Sequence, residues 1–434
     1  MRTVAFYTLG CKVNQYETEA ISEMFKNKGY KVIDPNKKAD LYVINTCSVT
    51  NLGERKSRQF IRRSKKKNNE AIVCVVGCYA QLSPEEVMDI EGVDLILGTK
   101  DRNNIVDLCE EAIRENKKIN AVEDIMQTKE FEEMTTNSIQ ESTRAYIKIQ
   151  EGCNQYCSYC IIPYARGPIR SRKLENILSE TQAIVKKGFK EIVLTGIHVA
   201  SYGKDIGDIR LIDVIEKVHE IEGLERIRLS SLEPTLITEE FMERLSSLEK
   251  VCPHFHLSLQ SGSDSVLNRM NRKYTTKDYK ERVDLIRKYM KDVAITTDII
   301  VGFPGETEQE FEETYNFVKK IGFAKVHVFK YSPRKGTPAA KYKNQVHGTI
   351  KKNRSNKLIK LVDSLAKEFV KEFIGREMKV LIEAPSHSDG YMEGYAENYI
   401  RVMVKGNEEL EENIINVIIK DSYEEKLIGK KLIK

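Results

Sequence analysis

Between Arg144 and Ile374 the chain repeats one device, a short apolar run of strand length followed in most cases by a longer amphipathic stretch. The strand-like members are "AYIKIQ", "EIVLTG", "RIRLSS", "HFHLSLQ", "AITTDIIVG" and "KVHVFKYS". Parallel strands cannot be joined by a tight turn, so strands that alternate with helical stretches predict βαβ units and a parallel sheet. Six such units predict a closed or partly open (βα)6-type barrel over residues 144–374, with the helically spaced apolar residues of 351–374 capping or leaving it.

The flanks carry different patterns. Residues 1–116 contain "VAFYTL", "LYVINT", "AIVCVVG" and "DLIL" separated by amphipathic segments, which predicts a second, smaller parallel α/β domain. Residues 117–143 are polar and without a sustained period, and read as a linker. From 375 to 434 the pattern changes to short alternating strands, "MKVLIEA", "GYMEGYA", "YIRVMVKG" and "NIINVIIKD", the signature of a small all-β barrel. The expected fold class is therefore α/β, with a closing β-barrel domain.

No apolar run in the 434 residues approaches membrane-spanning length, and the N-terminus alternates like a strand where a signal peptide would have an apolar core. A cytoplasmic protein away from membranes is expected. In a reducing compartment nine cysteines are poor candidates for disulfides, which moves metal, cluster and catalytic roles forward.

Three of the nine stand in "EGCNQYCSYC", directly after the first strand of the predicted barrel. Cys153, Cys157 and Cys160 can wrap one face of a metal centre. A structural zinc site normally closes with a fourth ligand, and the nearest downstream histidine is His198, beyond a helix and a strand. An iron–sulfur cube held by three thiolates keeps one iron open for a substrate. Three ordinary buried thiols are the alternative, which the polar Asn154, Gln155, Tyr156 and Ser158 oppose.

This CxxxCxxC loop resembles the signature of radical S-adenosylmethionine enzymes. The resemblance implies that the open iron chelates the amino and carboxylate groups of S-adenosylmethionine, whose reductive cleavage gives a 5′-deoxyadenosyl radical. It also implies Tyr159 against the adenine and Gly196 at the methionine part. Glu233, Gln260 and the "GFPGET" turn from Gly302 follow predicted strands on the side where such barrels place their sites, with strand-end capping as the plainer role.

Cys11, Cys47 and Cys78 are far apart in sequence, yet each follows an apolar strand, in "FYTLGC", "YVINTC" and "CVVGC". The carboxyl ends of parallel strands share one edge, so these three can converge on a second cluster. Cys74, Cys109 and Cys252 lack this placement and read as buried apolar groups. The histidines, including His198, His254 and His256, read as structural.

Together the two trios resemble the methylthiotransferases, in which a domain with an auxiliary cluster precedes the radical domain and a small C-terminal domain of the TRAM type. "TLGCKVNQYET" (8–18), "NTCSVT" (45–50) and "CSYCIIPYARGPIRSR" (157–172) look most like the branch acting on N6-threonylcarbamoyladenosine at position 37 of tRNA. Sister branches, which act on isopentenyladenosine in tRNA or on a ribosomal-protein aspartate, differ at the positions of Lys12, Val13, Gln15 and Ala165. The resemblance implies two 4Fe–4S clusters and S-adenosylmethionine as cofactors, a tRNA anticodon loop as partner, an electron donor such as flavodoxin or ferredoxin, and a monomer. Adenine C2–H is neither acidic nor readily attacked, so its replacement by a methylthio group suits radical chemistry that a cofactor supplies. No side chain stands out as a catalytic acid or base.

"ERKSRQFIRRSKKKNN", after Cys47, sets Arg55, Lys56, Arg58, Arg62, Arg63, Lys65, Lys66 and Lys67 against the single acid Glu54. A solvated helix usually mixes its signs, so this one predicts a phosphate-binding face. Arg166, Arg170 and Arg172 are expected to add contacts to RNA or cofactor. Against the simple picture, residues from Lys371 onward hold thirteen acidic against ten basic side chains. Tyr391, Tyr395 and Tyr399 with Arg401 could form an RNA-binding face there, or could be core. Two other classes compete: a non-enzymatic iron–sulfur RNA-binding protein, and an interaction protein with zinc in both trios.

Overall fold

Three parallel or barrel-forming sheets arranged along the chain account for most of the interior. The structure is a computed structural model that describes residues 2–49, 51–135, 143–207 and 209–432. Strands β1 (Thr3–Thr8), β2 (Lys31–Val32), β3 (Leu41–Thr46), β4 (Ile72–Gly77), β5 (Leu95–Leu97) and β6 (Ile119–Ala121) form a parallel sheet in the order β2-β1-β3-β4-β5-β6. Helices lie on both faces, which is why its strands are near-continuous apolar runs. One face packs Val4, Leu41, Val43 and Val76 on Ala20, Ile21 and Phe25 of helix α1 (Lys12–Asn27). The other packs Tyr42, Ile44, Val73 and Val75 on Ile61 of α2 (Asn51–Lys67) and on Tyr79 and Ala80 of α3 (Cys78–Leu82).

The central domain begins with β7 (Arg144–Glu151), to which the two-residue β8 (Arg170–Ser171) pairs antiparallel. Strands β9 (Glu191–Gly196) and β10 (Arg226–Leu229) continue from β7, and β11 (His254–His256), β12 (Ala294–Val301) and β13 (Lys325–Lys330) form a second parallel group. Parallel bridges Ile227–Val251 and Leu232–Leu257 join the two groups, so six strands run β7-β9-β10-β11-β12-β13 as a partial barrel. Alternation sends Phe255, Leu257, Ile295 and Ile299 to the helical layer, where they join the largest core. The long helix Gly348–Lys371 packs on β12 and β13, starting three residues before the predicted 351.

Five strands close the C-terminal barrel in the order β14-β15-β16-β18-β17: β14 (Glu377–Pro385), β15 (Tyr391–Ala396), β16 (Arg401–Lys405), β17 (Ile414–Tyr423) and β18 (Lys426–Lys431). β18 had no counterpart in the sequence reading. Its Gly429 passes so close to β17 that a Cβ would lie 2.1 Å from Val417 Cγ1. Tyr395 and Tyr399 stack with ring centroids 4.8 Å apart, and Tyr399 lies under the guanidinia of Arg228 and Arg144, at 4.5 and 5.0 Å. These two tyrosines face the central barrel. Glu191, fully buried, binds Arg228 at 2.8 Å, while Arg228 and Arg226 donate to the Glu397 and Tyr395 carbonyls. An ionic seam thus docks the two barrels.

The segment read as a linker is largely tied down. Ile119–Ala121 adds an edge strand to the first sheet, Met134 is buried in that domain's core, and Glu132 and Glu133 bind Arg102 and Arg172. Its residues 136–142 lie outside the described residues. No helix among the described residues is long and apolar enough to cross a membrane.

Candidate active site

The carboxyl ends of β1, β3 and β4 place Cys11, Cys47 and Cys78 on one edge of the first sheet. Cys11 is the N-cap of α1. Gly10, at φ +116°, lets the loops meet: a Cβ there would stand 3.0 Å from Cys47 Cβ and 3.2 Å from its Sγ. Asn14 fastens the arrangement, its Nδ2 donating to the Leu9 carbonyl at 2.7 Å and the Thr46 carbonyl at 3.0 Å. Burial pushes the Cys78 thiol up to about 12 and raises Cys47 as well. Buried thiols of this kind would ionise on binding a cationic centre, and an iron–sulfur cube is one such centre.

Arg166 enters this site from the central domain. Its Nε donates to Cys78 Sγ at 3.2 Å, its Nη2 donates to Asn14 Oδ1 at 2.7 Å, and both Nη atoms bind the Glu17 carboxylate. Glu17 also meets Lys148 and Arg102, and Glu151 meets Arg166 and Lys148. All five are at most 2% exposed. Burial alone would raise the Glu17 carboxyl, but Arg102, Arg166 and Lys148 hold it well below the ordinary carboxylate range.

Two residues beyond Glu151 the second cysteine loop begins. Gly152, at φ +72°, is forced by crowding, since a Cβ would lie 1.9 Å from the Pro168 carbonyl oxygen. The loop is held from outside: Ser158 N donates to the Met270 carbonyl, Ser158 Oγ to the Arg269 carbonyl, and Ala339 N to the Ser158 carbonyl. Burial lifts Cys153 to about 11 and Cys160 to about 12. Arg272 Nη1 donates to Cys157 Sγ at 3.3 Å, and Arg272 Nη2 binds both oxygens of Glu233 at 2.8 and 2.9 Å. Each trio therefore has one sulfur hydrogen-bonded to a buried arginine that a carboxylate anchors. In neither trio do all three sulfurs lie within 4.8 Å of one another, whereas a single tetrahedral zinc sets sulfurs about 3.8 Å apart.

The other residues singled out in the sequence divide clearly. Tyr159, Gly196, Glu233 and Gln260 all stand at or just after the carboxyl ends of barrel strands, on the rim that carries Cys153, Cys157 and Cys160. Tyr159 packs with Val266, Met270, Phe303 and Tyr331. Gly196 is also a packing necessity, as a Cβ would lie 2.8 Å from the Gln150 carbonyl oxygen. Gln260 holds φ +73°, a strained value for a residue with a side chain, pinned by bonds to Asp298 and Ile300. Glu306 of the "GFPGET" turn is used structurally, accepting from Gly302 N and from Arg354.

Arg55, Arg62 and Arg63 are exposed on one stripe of α2 and, with Arg58, Gln59 and Lys66, line a groove of about 450 Å³. Arg58 is half-buried and donates to Tyr79 Oη at 2.8 Å. Arg166, Arg170 and Arg172 are corrected: all are at most 2% exposed. Arg170 donates to the Pro168 and Arg166 carbonyls, and Arg172 binds Glu133 and Glu180, so none offers its guanidinium to a phosphate. Their neighbourhood in sequence to the cysteines reflects the domain junction. Arg272, Glu17 and Glu151 escaped sequence reasoning, since nothing in a single sequence pairs residues so distant.

A profile for the Radical SAM superfamily matches residues 147–318, and one for Uncharacterized protein family UPF0004 matches residues 3–98. The Bacillus subtilis protein named threonylcarbamoyladenosine tRNA methylthiotransferase MtaB is 46% identical over 98% of this chain and 95% of its own length. The chain belongs to the radical S-adenosylmethionine tRNA methylthiotransferases. Membership brings S-adenosylmethionine and 4Fe–4S clusters as cofactors. Other members of this methylthiotransferase family carry another name: the Caldicellulosiruptor saccharolyticus tRNA-2-methylthio-N(6)-dimethylallyladenosine synthase is 37% identical over 99% of this chain and 92% of its own length. Among solved structures, the radical S-adenosylmethionine methyltransferase TsrM from Kitasatospora setae superposes with a TM-score of 0.59 at 14% identity, over 78% of this chain and 77% of that one. That likeness concerns the fold alone.

Proposed function

We propose that this enzyme methylthiolates C2 of N6-threonylcarbamoyladenosine at position 37 of tRNA. The observation that carries the reading is the near-full-length 46% identity to the Bacillus subtilis protein of that name. Cys153, Cys157 and Cys160 hold one 4Fe–4S cluster and Cys11, Cys47 and Cys78 a second. With S-adenosylmethionine these groups supply the 5′-deoxyadenosyl radical, the sulfur and the methyl group.

The chain's own residues set the stage for that chemistry. Arg272 orients Glu233 on the rim where Tyr159, Gly196 and Gln260 receive S-adenosylmethionine. Arg166, bonded to Cys78 and to Glu151 just upstream of Cys153, fixes the two cysteine sites against each other. Arg55, Arg62 and Arg63 hold the phosphate backbone of the anticodon loop, whose unpaired base can be splayed toward the clusters at small cost. An external donor of the flavodoxin or ferredoxin kind supplies electrons to a monomeric cytoplasmic enzyme.

The isopentenyladenosine reading is kept because a relative so named matches 99% of the chain, at 37% identity. Nucleoside mass spectrometry of bulk tRNA from cells with and without the gene separates the two. Loss of the methylthio form of threonylcarbamoyladenosine, with its precursor accumulating, is the expected result. Loss of methylthio-isopentenyladenosine would reassign the substrate, and no change in any methylthio nucleoside would remove tRNA.

A further inference from the structure

Inside the central barrel three potential ligands, none of them a cysteine, converge from adjacent strands. His256 ends β11 in register with Thr296 of β12; Asp298 is two residues further along β12 and so on the same face; His327 of β13 stands directly opposite Asp298. One ligand atom from each lies within 4.8 Å of the other two, the sole such group of His, Cys, Asp or Glu among the described residues. His256 Nε2 is 3.3 Å from Asp298 Oδ2.

The surroundings favour a cation. Asp298 is 31% and His256 15% exposed at the side chain, so the Asp298 carboxylate is only partly hydrated. Among the described residues no lysine or arginine pairs with Asp298; the nearby Lys325 is engaged by Glu425 at 3.2 Å. Thr296 Oγ1 lies 3.1 Å from His256 Nδ1 and 3.2 Å from His254 Nε2. A hydroxyl on Nδ1 fixes the ring and leaves Nε2 to face Asp298 and His327, the usual support of a metal-bound imidazole.

We propose that His256, Asp298 and His327 form a divalent-metal site in the barrel lumen, separate from both cysteine sites. Two imidazoles and a carboxylate suit a borderline ion such as zinc, ferrous iron or cobalt, and lack the thiolates that select clusters. Three protein ligands from one sheet face leave coordination positions open on the lumen side, the arrangement of a site that takes a further ligand. Gln260 N–H donates to the Asp298 carbonyl at 2.9 Å and pairs with Ile299, so the ion sits in the lumen about one residue below Gln260.

The test uses the full chain with its clusters loaded anaerobically, incubated with zinc chloride and passed through gel filtration, with metal and sulfide then counted. Wild type is expected to retain about one zinc per chain, with an anomalous peak at the zinc edge between the three side chains in a crystal. His327→Ala, at an exposed position, and the isosteric Asp298→Asn should lose that zinc with iron and sulfide unchanged. Thr296→Val should weaken zinc binding roughly tenfold to a hundredfold. Absence of zinc in wild type, equal zinc in wild type and both ligand variants, or a peak only at the cysteines overturns the site. The readout does not depend on which nucleoside is modified.

Discussion

Arg166 Nε donates to Cys78 Sγ across 3.2 Å, joining residues 88 positions apart and in different domains. A cationic donor on a cluster sulfur withdraws electron density and raises the cluster's reduction potential. Arg272 stands in the same relation to Cys157.

Replacing Arg166 by Gln removes that donor and strands Glu17 and Glu151 beside fewer cations. Breaking a buried ion network in this way costs about 3–5 kcal/mol. The expected result is a lower melting temperature together with a more negative midpoint potential for the auxiliary cluster, read by electrochemically poised EPR. An unchanged potential in a folded variant would remove the tuning role and leave a structural one.

The two cysteine sites should empty independently. A Cys11→Ala, Cys47→Ala, Cys78→Ala variant is expected to keep about half the iron and still cleave S-adenosylmethionine to 5′-deoxyadenosine, without methylthiolation. The corresponding change at Cys153, Cys157 and Cys160 should also keep about half the iron and abolish cleavage. Iron analysis and product chromatography check both.

On α2, Arg55, Arg62 and Arg63 should behave differently from Lys65 and Lys67. The arginines are exposed along the groove, while Lys65 pairs with Asp94 at 3.0 Å and Lys67 donates to Tyr7 Oη at 2.7 Å. Each arginine changed to Gln should weaken tRNA binding and reduce the slope of log affinity against log salt by about 1. Lys65→Gln and Lys67→Gln should lower the melting temperature with less effect on that slope. Filter binding across a salt series separates the groups.

Glu191 makes docking of the two barrels pH-sensitive. Burial raises its carboxyl, but Arg228, with Arg144 and Arg226, outweighs this and holds it below the ordinary range. A carboxyl depressed in the folded state contributes stability that is complete above the unfolded carboxylate range, about 4.3, and is lost as pH falls through the folded value. Glu191→Gln should therefore melt lower than wild type at neutral pH, and the difference should shrink on acidification. Calorimetry between neutral and strongly acidic pH reads it; a constant gap would remove Glu191 as the titrating group.

What could be read from sequence follows from the range of the interactions involved. The βα alternation of residues 144–374 and the strand-end placement of Cys11, Cys47 and Cys78 are local patterns with one geometric outcome, and both recur in the fold. Arg166, Arg170 and Arg172 looked like a basic surface because nothing nearby neutralises them. The partner of Arg166 is Glu17, 149 residues away, and Arg172 is matched by Glu133 and Glu180, so burial followed from contacts that no local period encodes. The polar stretch after residue 117 misled for the same reason, since Glu132 serves Arg102 from a distance. Strand β18, "KLIGKK", is too short and too basic to signal its place beside β16 and β17.

The ion network of Glu17, Arg102, Lys148, Glu151 and Arg166 draws about equally on both domains and excludes water. Neither domain can be pulled from the other without exposing half a set of matched charges, so the junction has no inexpensive hinge. The span between the two cysteine sites is accordingly settled when the chain folds, before any RNA arrives. It acts as a fixed gauge, and a base that reaches one site is already at a set distance from the other.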